Sequence, residues 1–330
     1  MKIFITGNSR SGTTMMSRIL GNHKEVFSFQ ELHFFDEQLP REGFNNTPRK
    51  EEAVKLFATL CAIQRHGYFG SRDYTLFRDE ALFTLNTGVP VKYSEVFEKF
   101  LVTETARNHK SIPCEQTPQT VYFIDQVLNS YEYAKVIVMV RDPRAVMLSQ
   151  KYKWKRRKLS GGQIPLRESI RAYINYHPIA ISKIWNRVMQ TASEYKKHPS
   201  VLFVKYEDLI QNPKMIIEKV CKHCGINFEE SLLNVPVVGS SSNPDNITKQ
   251  GIDNSRLQEW ENGGLNNTEI QICQQINGSL MDYWGYNPKS VKSNMFLSTW
   301  YDVSLPFRLG LALLFNLKRL KNIGKFVKQK

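Results

Sequence analysis

The pattern of hydrophobic and polar positions alternates short apolar runs with longer amphipathic segments. Residues 2–6, 135–140 and 201–204 are largely apolar runs, of the kind found in strands that are covered on both faces of a sheet. A shorter run at 26–29 predicts a further strand. Because strands alternate with helical segments, the pattern predicts an α/β fold with a central parallel sheet and crossover helices.

Cap and turn residues indicate where the helices begin and end. Thr117 and Pro118 predict an N-cap and a first helical residue, and Gly225 predicts a helix C-cap. Pro178 is expected to break a long helical segment. The predicted helices are residues 13–20, 117–130, a helix from 143, 166–196, 215–223 and 267–284, and residues 243–254 are predicted to be a loop.

Residues 36–110 have a polar, helical pattern with scattered aromatic residues, which we expect to pack within the segment. No turn-rich linker separates this segment from the rest of the chain, so we interpret it as a helical insertion within one domain. That domain is predicted to cover residues 1–290. Residues 291–330 are interpreted as a basic, helical C-terminal tail.

The composition is that of a folded protein with a preference for anionic partners. Hydrophobic residues make up 41% and charged residues 23% of the 330 residues, which excludes a disordered chain. The net charge of +14 favours nucleotides, sulfated or phosphorylated ligands, nucleic acid or acidic lipid, without choosing among them. Five cysteines, an odd number, predict reduced thiols rather than a disulfide framework.

The chain starts directly with a predicted strand. It shows no signal-peptide pattern and no stretch of about 20 apolar residues. We therefore expect a cytoplasmic protein.

The first chemical signal is a glycine-rich turn, Gly7 to Thr14, between the first predicted strand and helix. Such a turn directs successive backbone N–H groups at one point and binds phosphate. Its spacing fits a nucleoside-triphosphate loop, but Thr13 stands where such a loop carries the lysine for the β- and γ-phosphates. The turn therefore suits a less charged 5′ group, to which Arg10 adds a guanidinium.

The second signal follows the strand at 135–140. Arg141 lies at the carboxyl end of this strand, where ligands bind in open α/β sheets, and Ser149 lies along the next helix. Together they can bind a second phosphate, remote from the first. Taken alone, an Arg-Asp pair at a strand end, here Arg141 and Asp142, is more often a structural ion pair.

With both motifs present, the chain resembles the sulfotransferases that use 3′-phosphoadenosine-5′-phosphosulfate (PAPS). Ser9–Thr14 is similar to the 5′-phosphosulfate loop of that family, and Val136–Ser149 to its 3′-phosphate motif. The resemblance covers roughly residues 2–290 and is closer to the carbohydrate and tyrosylprotein branches than to the small-phenol branch. Further matches are Tyr206, Ser240–Ser242, Lys249 and the segment from Trp260 to Tyr286.

The resemblance implies a three-layer, P-loop-like α/β domain around the central parallel sheet, and a role for each matching residue. The 5′-phosphosulfate would be held by Arg10, Ser11, Gly12, Thr13 and Thr14. The 3′-phosphate would be held by Arg141 and Ser149. Tyr206 would belong to the donor site, and Ser241 and Lys249 would close over the donor.

The resemblance also implies a catalytic base. In the tyrosylprotein branch a glutamate beyond the loop takes the proton of the acceptor hydroxyl, and that position here is Glu31. His33 is the alternative base, since residues 31 and 33 project to the same side of an extended segment. Related enzymes carry a lysine where this chain has Gln116. An amide brings no charge, so stabilisation of the leaving phosphate would depend on Arg10 and the loop N–H groups.

Two further motifs are open to a structural interpretation. Cys221 and Cys224 resemble half a zinc site, but no second pair follows at metal spacing, and we predict no metal. The basic run from Lys151 to Lys158 is either a solvated helix face or a border of the donor or acceptor site.

The tail from residue 303 to 330 has seven basic residues and no acidic ones. The pattern predicts a basic amphipathic helix on an anionic membrane surface, or alternatively a helix docked on the catalytic domain. Four of its lysines recur at spacings of three and four, and four apolar residues fall largely on another face: Lys318, Lys321, Lys325 and Lys328, and Leu313, Leu317, Leu320 and Val327.

Together these features predict a cytoplasmic, PAPS-dependent sulfotransferase, peripheral on the inner membrane face, that sulfates a carbohydrate or glycolipid hydroxyl and releases adenosine 3′,5′-bisphosphate. Tyrosylprotein sulfation is the alternative within the family. Two alternatives belong to other functional classes. One is a P-loop nucleotide kinase or NTPase, and the other is a basic nucleic-acid-binding protein. The paired phosphate motifs argue against a nucleic-acid partner, and Thr13 argues against an NTPase.

Overall fold

The structure is a computed structural model, and it describes residues 1–39, 43–68, 70–71, 73–86, 91–155, 158–159, 162–234, 236–237, 246–250 and 259–316. For residues 158–159, 162–163, 236–237 and 246–250 it describes the backbone alone. The strands are β1 (Lys2–Gly7), β2 (Val26–Ser28), β3 (Ile112–Gln116), β4 (Ala134–Val140), β5 (Lys158–Leu159), β6 (Gly162–Gln163), β7 (Val201–Lys205), β8 (Pro236–Val237) and β9 (Asn246–Gln250).

Helices fill most of the chain between the strands. They are α1 (Thr13–Gly21), α2 (Lys50–His66), α3 (Arg78–Leu85), α4 (Tyr93–Arg107), α5 (Ile124–Ser130), α6 (Pro143–Lys151), α7 (Leu166–Ile174), α8 (Pro178–Ser193), α9 (Tyr206–Gln211), α10 (Pro213–Cys224), α11 (Asn267–Tyr283) and α12 (Met295–Asn316). Short turns of other helix types cover Phe34–Gln38, Tyr74–Phe77, Pro118–Phe123, Lys153–Lys155 and Glu230–Leu233.

The main sheet has five strands in the order β2-β3-β1-β4-β7. All four pairings are parallel, so every strand ends at the same edge. The predicted α/β fold with a central parallel sheet is confirmed, and β1, β2, β4 and β7 coincide with predicted strands. Sequence analysis missed β3, which lies between β2 and β1.

Two apolar layers pack on the two faces of this sheet. Successive residues of β1 enter different layers, because side chains alternate along a strand. Phe4 joins the layer with the aromatic residues of α2 and α4. Ile3 and Ile5 join the layer with α1 and α10. With the sheet between them, these helical layers give the predicted three-layer arrangement.

Most of the predicted helix boundaries are confirmed. Pro178 begins α8 after a break from α7, and Gly225 ends α10 with a φ of 64°. The predicted cap at Thr117 is wrong in its chemistry, because the Thr117 hydroxyl donates to Glu115 rather than capping the helix. The predicted loop at 243–254 contains β9, and its other residues lie outside the described part of the chain.

Helices α2, α3 and α4 lie within the segment that we interpret as an insertion. The expectation that its aromatic residues pack inside holds for Phe57, which is 1% exposed. It is wrong for Phe83, which is 87% exposed.

The tail helix α12 begins at Met295, before the predicted start at 303, and residues 317–330 lie outside the described part of the chain.

None of the described helices is long and apolar enough to cross a membrane. All five cysteines are buried and free: Cys61, Cys114, Cys221, Cys224 and Cys273. The expectation of reduced thiols agrees with this state.

Candidate active site

The predicted site residues lie side by side along the carboxyl edge of the main sheet. Glu31 follows β2, and Gln116 ends β3. The glycine-rich turn follows β1, Arg141 follows β4 and Tyr206 follows β7. Because the sheet order is β2-β3-β1-β4-β7, the glycine-rich turn lies between Glu31 on one side and Arg141 on the other.

The turn from β1 to α1 requires glycine at its two ends. Gly7 has a φ of 138°, and a Cβ there would lie 2.4 Å from the carbonyl oxygen of Met139 in the neighbouring strand. Gly12 has a φ of 93°, and a Cβ there would lie 2.6 Å from the ring of Tyr206. Only glycine adopts these conformations without strain, so the turn can bring its backbone close to both neighbours.

Polar groups in this turn are placed for a ligand. The N-cap residue of α1 is Gly12, which has no side chain to cap the helix, and the first turn carries no acidic residue. Thr13 and Thr14 are the first two residues of α1. The hydroxyl of Ser11 is buried and has no hydrogen-bond partner among the described residues. A buried, unpartnered hydroxyl beside free helix N–H groups is suited to an anion.

The two predicted phosphate motifs touch each other. Nε of Arg10 donates to Oγ of Ser149 at 2.9 Å, and Nη1 of Arg141 donates to the carbonyl oxygen of Arg10 at 3.0 Å. The binding of a second phosphate, remote from the first, stays a prediction, whereas the side chains that would hold the two phosphates are in contact in this structure. The reason is that β1 and β4 are paired neighbours, so their following loops run side by side.

Tyr206 connects the two motifs. Its ring faces the guanidinium carbon of Arg141 at 4.2 Å, within the range of a cation–π contact. The same ring lies directly beside Gly12, where it leaves no room for a Cβ. Tyr206 therefore sets the distance between the glycine-rich turn and the Arg141 side chain.

The backbone around Arg141 is held by groups that sequence analysis did not identify. Nε1 of Trp185 donates to the carbonyl oxygen of Arg141 at 3.0 Å. Oε1 of Glu207 accepts the N–H of Asp142 at 3.0 Å, and burial raises the pKa of Glu207.

Asp142 pairs with Arg144 at 2.7 Å. Nε of Arg141 is buried and has no hydrogen-bond partner among the described residues, so the structural ion pair does not use Arg141.

A second group of titratable residues lies beyond β2. Nε2 of His33 is 3.4 Å from Oε2 of Glu31, and Nδ1 of His33 is 2.9 Å from Oδ2 of Asp36. Burial alone would lower the pKa of His33, but its hydrogen bonds to Asp36 and Glu31 raise it to about 10. Burial would raise the pKa of Glu31, but the bond to His33 and the charges of Lys153 and Arg10 lower it.

These pKa shifts separate the two predicted bases. Glu31 is ionised at neutral pH and can accept a proton. His33 is protonated at neutral pH and has no free nitrogen lone pair. The side chain of Glu31 is 37% exposed, whereas that of His33 is 12% exposed. Glu31 is thus the more accessible of the two and the one in the state of a base.

Two lysines of the basic run from Lys151 to Lys158 lie in different environments. Lys151 forms an ion pair with the buried Glu269 at 2.8 Å. Lys153 is close enough to lower the pKa of Glu31. At least one residue of this run therefore borders the group around Glu31.

The end of β3 carries further buried polar groups. Oε1 of Glu115 accepts from the hydroxyl of Thr117, and burial raises the pKa of Glu115 to about 8. Oε2 of Glu115 and Oε1 of Gln116 have no hydrogen-bond partner among the described residues. Sequence analysis missed Glu115. Its signal is a carboxylate in the segment just before Thr117-Pro118.

Ligand atoms of His33, Asp36 and Glu37 lie within 4.8 Å of one another, a spacing compatible with a cation. Both nitrogens of His33 face carboxylates, however, and an imidazolium does not bind a metal. The absence of a metal stays a prediction.

Ser241 lies outside the described residues, and Lys249 is described only as part of the backbone of β9.

Comparison with known proteins gives one family. A sulfotransferase family profile, Sulfotransfer_3, matches residues 2–230. No curated protein matches the chain.

Several solved structures are similar. The sulfotransferase domain from the curacin biosynthetic pathway is 18% identical, with 87% of this chain and 98% of that chain covered and a TM-score of 0.51. The sulfotransferase domain of the Synechococcus PCC 7002 olefin synthase is 18% identical, with 83% and 93% covered and a TM-score of 0.48. Mouse sulfotransferase SULT7A1, complexed with PAP, is 15% identical, with 85% and 84% covered and a TM-score of 0.36.

Proposed function

Because the chain belongs to the sulfotransferase family, we propose that it transfers the sulfuryl group of PAPS to a hydroxyl of a carbohydrate or glycolipid, with Glu31 as the base. The observation that carries this proposal is the arrangement along one sheet edge. An ionised carboxylate lies on one side of a phosphate-binding turn, and an arginine lies on the other.

The proposed reaction is an in-line transfer. The acceptor oxygen attacks sulfur, the bond from sulfur to the bridging oxygen of the 5′-phosphate breaks, and adenosine 3′,5′-bisphosphate leaves with that oxygen. Glu31 accepts the proton of the acceptor hydroxyl as the new bond forms. Positioning both substrates across the glycine-rich turn supplies much of the rate enhancement.

The donor would lie along the edge from β1 to β7. The hydroxyl of Ser11 and the backbone N–H groups of Gly12 to Thr14 would bind the 5′-phosphosulfate, and Arg141 with Ser149 would bind the 3′-phosphate. The bond between Arg10 and Ser149 at 2.9 Å lies between these two positions. Arg10 is within electrostatic reach of Glu31, and we assign it to the charge of the leaving phosphate. Ser241 and Lys249 remain proposed as residues that close over the donor.

Gln116 ends β3 opposite Ile5 of β1, just before the glycine-rich turn. Its amide can donate a hydrogen bond to the donor but adds no positive charge. Tyrosylprotein sulfation uses the same chemistry and is the alternative acceptor class. A tyrosine peptide and a glycoside, offered with PAPS, separate the two.

The donor proposal is tested by ligand-induced stabilisation of the full chain. Adenosine 3′,5′-bisphosphate at about 100 times its Kd should stabilise the fold by about 2.7 kcal/mol. ATP with Mg²⁺ should stabilise it far less, because Thr13 replaces the triphosphate-binding lysine, and an oligonucleotide should leave the melting temperature unchanged. A larger shift with ATP and Mg²⁺ would instead favour a kinase or NTPase.

We further propose that the protein is peripheral on an anionic membrane surface. Helix α12 docks on the body through polar groups: Ser304 bonds His177 at 3.2 Å, and Asn316 accepts from Arg171 at 2.9 Å. Its other side is apolar and open to solvent. Ten apolar side chains of α12 are at least 36% exposed: Met295, Phe296, Trp300, Val303, Phe307, Leu309, Leu311, Leu313, Leu314 and Phe315.

This distribution reverses that of an ordinary surface helix, whose apolar side faces the core. Exposed apolar residues on α7, namely Leu166, Ile170 and Tyr173, lie on the helix against which α12 packs. An apolar surface of this kind marks an interaction site. The lysines from 318 onwards would add attraction to anionic headgroups, each contributing up to about 1 kcal/mol.

Sedimentation with vesicles tests the membrane proposal. The full chain should sediment with phosphatidylglycerol-containing vesicles at low salt and be released at high salt. Phe307→Glu with Leu311→Glu should abolish sedimentation, because two charges would enter the apolar face, while donor binding stays intact. Phe83→Glu, at a phenylalanine of α3 that is more exposed than Phe307, is the control and should sediment normally. A full chain that stays in the supernatant would leave α12 as a docked structural helix.

A further inference from the structure

We propose that His33 is a positively charged positioning residue, held between Asp36 and Glu31, which fixes the Glu31 carboxylate for proton abstraction. This inference rests on the proposed function in one respect, the assignment of Glu31 as the base. It gives His33 a role opposite to that of a general base, which must be neutral.

The geometry requires two donors on one ring. Nδ1 of His33 is 2.9 Å from Oδ2 of Asp36, and Nε2 is 3.4 Å from Oε2 of Glu31. Carboxylate oxygens accept hydrogen bonds, so both ring nitrogens must donate. Only the imidazolium form carries a proton on each nitrogen.

The backbone and ring of His33 are fixed as well. His33 has a φ of 50°, a left-handed conformation that is uncommon outside glycine. Its N–H donates to Oγ1 of Thr117 at 3.4 Å, and its ring centre lies 4.8 Å from that of Tyr68. Tyr68 in turn donates to Glu37, the last residue but one of the helical turn that begins after His33. These contacts hold the imidazolium against Glu31.

The charges that face His33 come from several elements. Glu31 precedes it in the chain, Asp36 and Glu37 lie on the following helical turn, and Glu115 acts from the end of β3. Tyr68 faces the ring from the segment after α2. The carboxylates of Asp36 and Glu31 thus flank the ring, which favours the cation and agrees with a His33 pKa of about 10.

The consequence for Glu31 is orientation. Oε2 is held by His33, so Oε1 is the oxygen that we assign to the acceptor proton. The charges of Lys153 and Arg10 also act on Glu31 and help to keep it ionised. Loss of the His33 proton would release Oε2, leave the carboxylate free to rotate and lower kcat.

Asp36→Asn tests this role without altering His33 or Glu31. The amide keeps the size of the side chain but removes a charge that raises the pKa of His33. Activity is measured from pH 6 to pH 10, with PAPS as donor and octyl β-glucoside below its micelle concentration as the acceptor probe. The kcat of the variant should match that of the wild type near pH 6, where His33 is still protonated, and fall above the lowered His33 pKa to a plateau no lower than the kcat of His33→Ala.

A general base would give the opposite result. If neutral His33 abstracted the proton, lowering its pKa would increase the activity of Asp36→Asn near neutral pH, and that outcome overturns the proposal. An unchanged pH profile overturns it too. Asp79→Asn, an exposed carboxylate on α3, is the matched control and should leave the profile unchanged.

Nuclear magnetic resonance of ¹⁵N-histidine separates this proposal from the proposed function. In the wild type both nitrogens of His33 should resonate as imidazolium from pH 5 to pH 9, with the signal assigned by its loss in His33→Gln. A neutral His33 at pH 7 overturns the positioning role whether or not the enzyme transfers sulfate. Imidazolium resonances in a protein that does not bind adenosine 3′,5′-bisphosphate would support the charged state while contradicting the proposed function.

Discussion

Replacing Glu31 by glutamine should lower kcat by about 10²–10⁴ while leaving donor binding unchanged. Glutamine has nearly the same shape but cannot take a proton from the acceptor hydroxyl. Its amide can still accept the hydrogen bond that His33 gives to Glu31, so the local structure should persist. Steady-state rates with PAPS and the glucoside probe measure kcat, and calorimetric titration with adenosine 3′,5′-bisphosphate measures donor binding.

Two controls make the result specific. Glu25→Gln changes a carboxylate just before β2, at the opposite end of the strand that leads to Glu31, and should have no effect on kcat. His33→Ala should reduce kcat less than Glu31→Gln, because positioning is lost but the base remains. An active Glu31→Gln variant together with an inactive His33→Ala variant would show that His33, not Glu31, is the base.

Replacing Arg141 by alanine should raise the apparent KM for the donor by about ten- to a hundredfold, equivalent to about 1.5–3 kcal/mol. The substitution would remove a charge-assisted contact to the 3′-phosphate. It would also remove the donor to the Arg10 carbonyl at 3.0 Å and the cation on the Tyr206 ring. The KM for the acceptor should change much less, because we propose that the acceptor binds next to Glu31, on the β2 side of the turn.

Arg141→Lys separates charge from geometry. Lysine keeps the positive charge but lacks the planar fork that contacts phosphate and stacks on a ring, so its donor KM should lie between wild type and Arg141→Ala. Lys135→Ala, at the amino end of β4, is the matched control and should leave both KM values unchanged. Equal increases in the donor and acceptor KM values for Arg141→Ala would contradict the assignment of Arg141 to the 3′-phosphate.

The layers of the fold could be predicted because they depend on apolar runs. The strands β1 and β4 are continuous hydrophobic segments, and the glycine-rich turn marks where β1 ends. Strand β3 has no such pattern: it contains Pro113, Glu115 and Gln116, residue types that are depleted in strands. Its buried polar side chains belong to the site and not to the core, so hydrophobic periodicity could not reveal it.

Sequence motifs were sufficient to propose the residues of the candidate site but not to predict the contacts among them. Sequence motifs pointed to Arg10, Arg141 and Glu31 separately. The bond from Arg10 to Ser149 and the position of His33 between two carboxylates depend on how side chains from distant segments are oriented. Thr117 is a further example of a contact that the sequence could not predict. Its hydroxyl donates to Glu115 and accepts from the backbone N–H of His33, and it does not cap the helix that follows.

The position of β3 in the sheet also constrains how the chain can assemble. Val26 of β2 pairs with Ile112, so β2 acquires its neighbour only after the segment with α2, α3 and α4 has left the ribosome. Strand β1 likewise pairs only with β3 and β4, which are both synthesised later. Parallel pairings of such high contact order form slowly. The glycine-rich turn, although encoded at the start of the chain, therefore acquires its supporting strands late in synthesis, and until then the apolar residues of β1 stay exposed to aggregation and to chaperones.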